Sequence, residues 1–234
     1  MAATPFRIFI GWDKREPIAY EVAKHSLERH ASVPVEVKPI QLEQLREQKL
    51  YWRDQDPLAS TDFTYSRFLT PKLADYRGWA LFCDCDFLFL SDIAGLIAHA
   101  RGDKAIYCVQ HDYRPTETTK MDGAVQTVYP RKNWSSLMLF NCEHQAVRGL
   151  TPEVVNRESG AFLHRLQWVS DADIGALPPS WNWLEGWNKK PAQGTPDAVH
   201  FTRGGPWFDQ WQHVDYADLW LAERALVDRS KPKI

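Results

Sequence analysis

The stretch Ala80-Leu81-Phe82-Cys83-Asp84-Cys85-Asp86-Phe87-Leu88-Phe89-Leu90 is an apolar run interrupted by two carboxylates. A run of this kind reads as a buried strand. A charge inside one is costly unless it is paired, hydrogen-bonded or coordinated to a cation. On an extended backbone residues i and i+2 share a face, so Asp84 and Asp86 point one way and Cys83 and Cys85 the other. That spacing suits two carboxylates sharing one divalent cation. It also suits a strand end whose carboxylates accept from backbone N–H groups or from an arginine, and a motif this short leaves both readings open.

The 234 residues, 44% of them hydrophobic, suffice for one well-filled α/β domain and are few for two. With 28 basic against 30 acidic side chains the net charge is −2, which calls for no polyanionic partner and carries no nucleic-acid signal. No apolar run approaches the ~20 residues that cross a bilayer, and Met1 to Pro5 lead into a strand without a signal-peptide pattern. A soluble, cytoplasmic protein is expected. Cys83, Cys85, Cys108 and Cys142 lie in apolar segments without Cys-x-x-Cys spacing, as buried thiols do in a reducing compartment.

Strand and helix patterns alternate along the first two thirds. Residues 6–11 read as a strand, 12–17 as a loop and 18–27 as a helix with Pro17 in its first turn. The loop stands where open α/β sheets bind ligands but lacks the Gly-x-Gly-x-x-Gly spacing, leaving backbone groups and Asp13 to meet a nucleoside. Residues 33–40 read as a strand whose prolines suit an edge or strand ends, 41–49 as a surface helix, and 60–71 as a helix presenting Phe63, Phe68 and Leu69 to the core. Arg67 on that helix is either a solvated charge or a partner for the Asp pair or a phosphate. A helix over 92–100, strands over 105–109 and 135–142, and a helix over 151–166 follow, with 116–120 in a loop suited to a lid or an acceptor-facing flap. The pattern predicts a mostly parallel sheet flanked by helices. Seven of the eleven tryptophans fall between Trp168 and Trp220, in a turn-rich last third that reads as a site wall. There His200 precedes Arg203, Gly204 and Gly205, where a guanidinium and backbone N–H groups could hold a diphosphate.

The order of these pieces resembles the GT-A-fold glycosyltransferases, and most closely the retaining family 8 group that includes glycogenin and the bacterial lipopolysaccharide galactosyltransferases. The resemblance rests on Phe63-Thr64-Tyr65-Ser66-Arg67-Phe68, on Phe82-Cys83-Asp84-Cys85-Asp86, on Leu177-Pro178-Pro179-Ser180-Trp181-Asn182, and on His200 to Trp207. It implies one Rossmann-like domain over 1–234. A nucleotide-binding half spans 1–110, a donor- and acceptor-binding half 130–210, and a tail or helix 211–234. It implies Asp84, Asp86 and His200 as ligands of Mn²⁺ or Mg²⁺, and Gly11, Trp12 and Asp13 around the base, usually uracil. Cys85, Ser135 and Ser136 join the donor-binding set, and Arg67 orients Asp84 or touches the sugar phosphate. Asp171 and Asp173 take the place of the donor-sugar carboxylates.

This sequence departs from the family where Gly205 stands in place of the diphosphate-binding lysine, and Arg203 is expected to take over that work together with Gly204. The implied function is transfer of a hexosyl or N-acetylhexosaminyl group from a nucleotide sugar, a UDP-sugar first, to a hydroxyl acceptor, a glycan first, with retention. A sugar nucleotidyltransferase is the alternative enzyme, although its glycine-rich basic loop is missing after the first strand; a silent nucleotide-sugar-binding protein is the alternative outside catalysis. The tail Arg229-Ser230-Lys231-Pro232-Lys233 is short for membrane docking.

Overall fold

The computed structural model describes residues 4–57, 59–112 and 130–230. Strand β1 (Phe6–Gly11), helix α1 (Pro17–His30) and strand β2 (Val35–Ile40) form a parallel strand–helix–strand unit, with Pro17 at the start of the helix as expected. Ile8, Phe9 and Ile10 are buried in succession, because β1 is an inner strand covered on both faces. β2 is the edge strand that its prolines predict, and Pro39 costs the sheet no ladder bond on its outer side. The surface helix α2 (Leu42–Glu47) buries only Leu45.

The helix expected over 60–71 is instead a 3-10 turn, Ser66–Leu69, running into the short helix α3 (Thr70–Leu73). Phe63, Phe68 and Leu69 are nevertheless buried. The 80–90 run also differs from its expectation. It is two strands, β3 (Trp79–Cys83) and β4 (Phe87–Phe89), in two different sheets, and Asp84-Cys85-Asp86 is the turn between them. Backbone pairing continues across the turn, since Asp84 N donates to Ser136 O at 2.9 Å and Phe201 N to Asp86 O at 2.9 Å. The carboxylates therefore emerge where the chain changes sheets, which spares both ladders a buried charge.

Helix α4 (Ala94–Ile97) and strands β5 (Ile106–Cys108) and β6 (Leu137–Asn141) follow in the predicted places. After α5 (Gln145–Arg148), the helix expected over 151–166 is divided into α6 (Pro152–Arg157) and α7 (Gly160–His164). Thr151 Oγ1 caps the start of α6 by accepting from Val154 N at 3.3 Å, and the break follows where Glu158 turns extended and Ser159 Oγ caps α7 by accepting from Phe162 N at 3.1 Å. Strands β7 (Ile174–Ala176), β8 (Trp183–Leu184) and β9 (Ala198–His200) and helix α8 (Ala217–Ser230) complete the chain.

The larger sheet has the order β2-β1-β3-β6-β5-β7, with three parallel pairings and two antiparallel ones where β6 lies between β3 and β5. The smaller sheet, β4-β9-β8, packs with α1 and α8 in an apolar cluster of Val22, Leu88, Val199, Phe201, Trp220 and Val227. α8 is also tied to α1 by Glu223, a buried carboxylate that accepts from His25 Nδ1 at 2.6 Å and Arg29 Nη2 at 2.7 Å. Among the described residues no helix is long and apolar enough to cross a membrane. The loop expected at 116–120 and the tail residues Lys231 to Lys233 lie outside the described residues.

Candidate functional site

The turn between β3 and β4 and the end of β9 bring Asp84, Asp86 and His200 together, with one donor atom from each lying within 4.8 Å of the others. Register explains the meeting, because Phe87 pairs with His200 across β4 and β9, and the imidazole stacks on the Phe87 ring at 4.5 Å. Arg67 is buried behind Asp84: its Nη1 donates to Asp84 Oδ1 at 2.6 Å and to Ser135 O at 3.0 Å, and its Nε to Thr64 O at 3.1 Å. Arg67 thus orients Asp84 from behind. Burial pushes the Asp86 carboxyl up, but His200, when it carries its second proton, and then Arg67 outweigh it and hold the group below its ordinary value, as a carboxylate.

A chain of hydrogen bonds decides which nitrogen of His200 faces the carboxylates. The carbonyl of Asn133 only accepts, so the Ser136 hydroxyl donates to it at 2.7 Å. The hydroxyl oxygen then accepts from Asn182 Nδ2 at 2.8 Å, which turns Asn182 Oδ1 toward His200 Nδ1 at 2.9 Å. Nδ1 consequently carries a proton, so in the neutral imidazole it is Nε2 that presents a lone pair. That lone pair lies 3.3 Å from Asp86 Oδ1, a buried oxygen without a hydrogen bond. Two acceptors facing each other at this distance fit a shared cation. Two carboxylates and one imidazole suit Mn²⁺ or Mg²⁺.

In front of the triad lies a cavity of about 730 Å³, the size of a small-molecule site, whose wall includes Glu16, Arg67, Ser135, Ser136, Arg203 and Gly204. Arg203 donates to Glu185 Oε2 at 3.2 Å and lies over the Trp211 ring. Gly186, at φ +71°, gives it room, since a Cβ there would fall 1.6 Å from the guanidinium. Glu16 accepts from Trp207 Nε1 at 3.0 Å and from the Cys85 thiol at 3.8 Å, so Cys85 turns its sulfur away from the carboxylates beside it. Burial, then Asp86 and Asp13, push Glu16 up to about 8.

Other expected residues stand elsewhere. Asp13 is fully buried and outside the cavity lining, its oxygens accepting from Arg15 N at 2.9 Å, Arg15 Nη2 at 2.8 Å and Asp62 N at 3.0 Å. Gly11 lies under Phe63, whose ring carbons would be 2.5 Å from a Cβ, and the half-buried Trp12 packs on the main core. Asp171, 81% exposed, pairs with Arg131. Asp173 gives its backbone carbonyl to Ala105 N, and neither aspartate lines the cavity. Residues that motif reading passed over complete the wall, among them Thr64, Lys132, His164 and Arg165. His164 Nδ1 is 2.8 Å from Ser135 Oγ. Their place on a short capped helix and a turn carries no local signature; Asn182 was visible in its motif, though not its bond to His200.

No protein-family model matches the chain. Protein CDI of Arabidopsis thaliana is 56% identical over 232 residues, covering 98% of this chain and 90% of that protein. Among solved structures, the galactosyltransferase LgtC in complex with donor and acceptor sugar analogues superposes with a TM-score of 0.63 at 12% identity, over 97% of this chain and 98% of that one. The apo form of the glycosyltransferase GlyE of Streptococcus pneumoniae TIGR4 gives 0.64 at 16% identity, over 97% and 63%. The bifunctional glycosyltransferase WbbM gives 0.65 at 15%, over 96% of this chain but about half, 51%, of its own length. These likenesses are of fold, and the fold is the GT-A fold of nucleotide-sugar glycosyltransferases.

Proposed function

The chain belongs to the family of Protein CDI of Arabidopsis thaliana, and we propose that it is a metal-dependent glycosyltransferase moving a sugar from a nucleotide sugar, a UDP-sugar first, to a hydroxyl acceptor with retention. The observation that carries this is the Asp84–Asp86–His200 cluster, its histidine buried and its carboxylates half-buried, braced by Arg67 and Asn182, at a cavity of ligand size on a GT-A fold.

Asp84, Asp86 and His200 would hold Mn²⁺ or Mg²⁺, which when bound supplies Lewis-acid stabilisation of the departing diphosphate. Arg67 keeps Asp84 pointed at the site by occupying its Oδ1. Arg203 stands on the cavity wall where it can meet the diphosphate, whereas the Gly204 N–H expected to help it is already donated to Phe201 O at 2.7 Å. Of the carboxylates on that wall among the described residues, Asp84 and Asp86 would face the cation, Glu16 is held by Trp207 and Cys85, and Asp56 accepts from the Tyr65 hydroxyl. With Asp171 and Asp173 off the wall, departure of the leaving group and attack by the acceptor on the same face of the sugar is the route to retention best supported. The acceptor hydroxyl would then give its proton to the leaving phosphate.

The test is release of nucleoside diphosphate from a panel of UDP-, GDP- and TDP-sugars with Mn²⁺ and with chelator. UDP release from one sugar, abolished by chelator and by Asp86→Ala, is the expected result. Nucleotide release that ignores both treatments, or turnover of none of the panel, would count against it.

A further inference from the structure

The arginines on the cavity wall differ in how they are held. Arg15 is bonded to Asp13, Arg67 to Asp84 and Arg203 to Glu185. Arg165 is the exception: its Nε, like that of Arg203, is buried with no hydrogen bond, but among the described residues no other atom of its guanidinium is hydrogen-bonded or ion-paired either. Its backbone alone is engaged: the N–H donates to Ala161 O at 3.1 Å and the carbonyl accepts from Arg131 Nη1 at 3.0 Å. Because a guanidinium sheds water only where an acceptor replaces it, a buried unbonded Nε beside an open cavity points to an acceptor on the ligand.

The surroundings give that acceptor a charge and a place. Lys132, 6% exposed, stands on the same cavity wall, and so does His164, the residue before Arg165. Asp56, the carboxylate contributed by the 51–60 segment, is bonded to Tyr65. His164 reaches Ser135, and the Ser135 carbonyl accepts from the same Arg67 Nη1 that holds Asp84, which sets this basic wall one residue away from the metal cluster's support. Arg165 follows the last residue of α7, where positive charge favours a helix end. That effect asks for no hydrogen bond and leaves the buried Nε unexplained.

Building on the glycosyltransferase reading, we propose that this wall recognises an anionic sugar: Arg165, with Lys132 and His164 beside it, binds a carboxylate or phosphate carried by the donor sugar or by the acceptor.

Calorimetric titration of the full chain in Mn²⁺ with UDP, UDP-glucose and UDP-glucuronic acid tests the donor source. Wild type is expected to prefer the acidic donor by about tenfold, and Arg165→Gln to bring the two donors within about threefold while binding UDP as before. Arg165→Lys, which restores the charge, should recover part of the preference. Should wild type bind both donors alike, the acceptor source is read from UDP release by the donor that binds. Methyl β-glucuronide is then expected to accept about tenfold faster than methyl β-glucoside in wild type, and equally in Arg165→Gln. No acidic preference in either arm, or a preference that survives Arg165→Gln, overturns the anionic-sugar proposal and leaves the transferase reading standing. Failure of UDP itself to bind wild type with Mn²⁺ removes both.

Discussion

His200 owes its usefulness to a carbonyl it does not touch. Asn133 O orients Ser136, Ser136 orients Asn182, and Asn182 leaves His200 Nε2 as a bare lone pair beside Asp86. Side chains that orient a metal ligand in this way are worth about 10–100-fold in metal affinity, so Asn182→Ala should weaken Mn²⁺ binding by about that factor in a calorimetric titration while the fold persists. Arg67 has the complementary role at Asp84. Removing it strands a largely buried carboxylate, and Arg67→Ala should cost about 3 kcal/mol in denaturant unfolding in the presence of chelator. Glu16 supplies a pH signature. Its folded value of about 8, against 4.5 for a free carboxyl, means that the folded chain holds a proton which the unfolded chain releases. Stability should therefore fall as pH rises from about 4.5 through about 8, and Glu16→Gln should flatten that decline in thermal melts recorded without metal.

At the scale of elements, the Asp pair is a hinge between sheets. Local pattern shows only apolar residues on both sides of it; the partner of β3 is β6 and that of β4 is β9, and such distant pairings are invisible to periodicity. The same limit applies to 151–166, where Ser159 is a cap that a continuous helical pattern conceals. The β2 edge was legible because proline has a direct steric meaning, and the α1 start because Pro17 needs no N–H partner. Helix α8 depends on one buried acid. Glu223→Ala should cost about 1–3 kcal/mol and speed amide exchange in α8 ahead of β3, measured by hydrogen–deuterium exchange.

Across the whole molecule, the proposed metal ligands were the most legible part of the site, since two carboxylates in an apolar run and a histidine before Gly-Gly-Pro are chemically out of place. Asp13 looked equally available, yet Arg15, two residues on, consumes it. Nothing in the sequence singles out Arg165, which only the fold sets against a cavity. What unites these residues in the proposed function is one site in which a cation held by the sheet junction would meet a nucleotide sugar. Its most direct measurement is a titration of UDP into the full chain with Mn²⁺, repeated with chelator and with Asp86→Ala. UDP binding that requires Mn²⁺, with one Mn²⁺ taken up per chain and both lost in the variant, is the expected result. UDP binding that is unchanged by chelator or by the loss of Asp86, or no Mn²⁺ uptake at all, would contradict it.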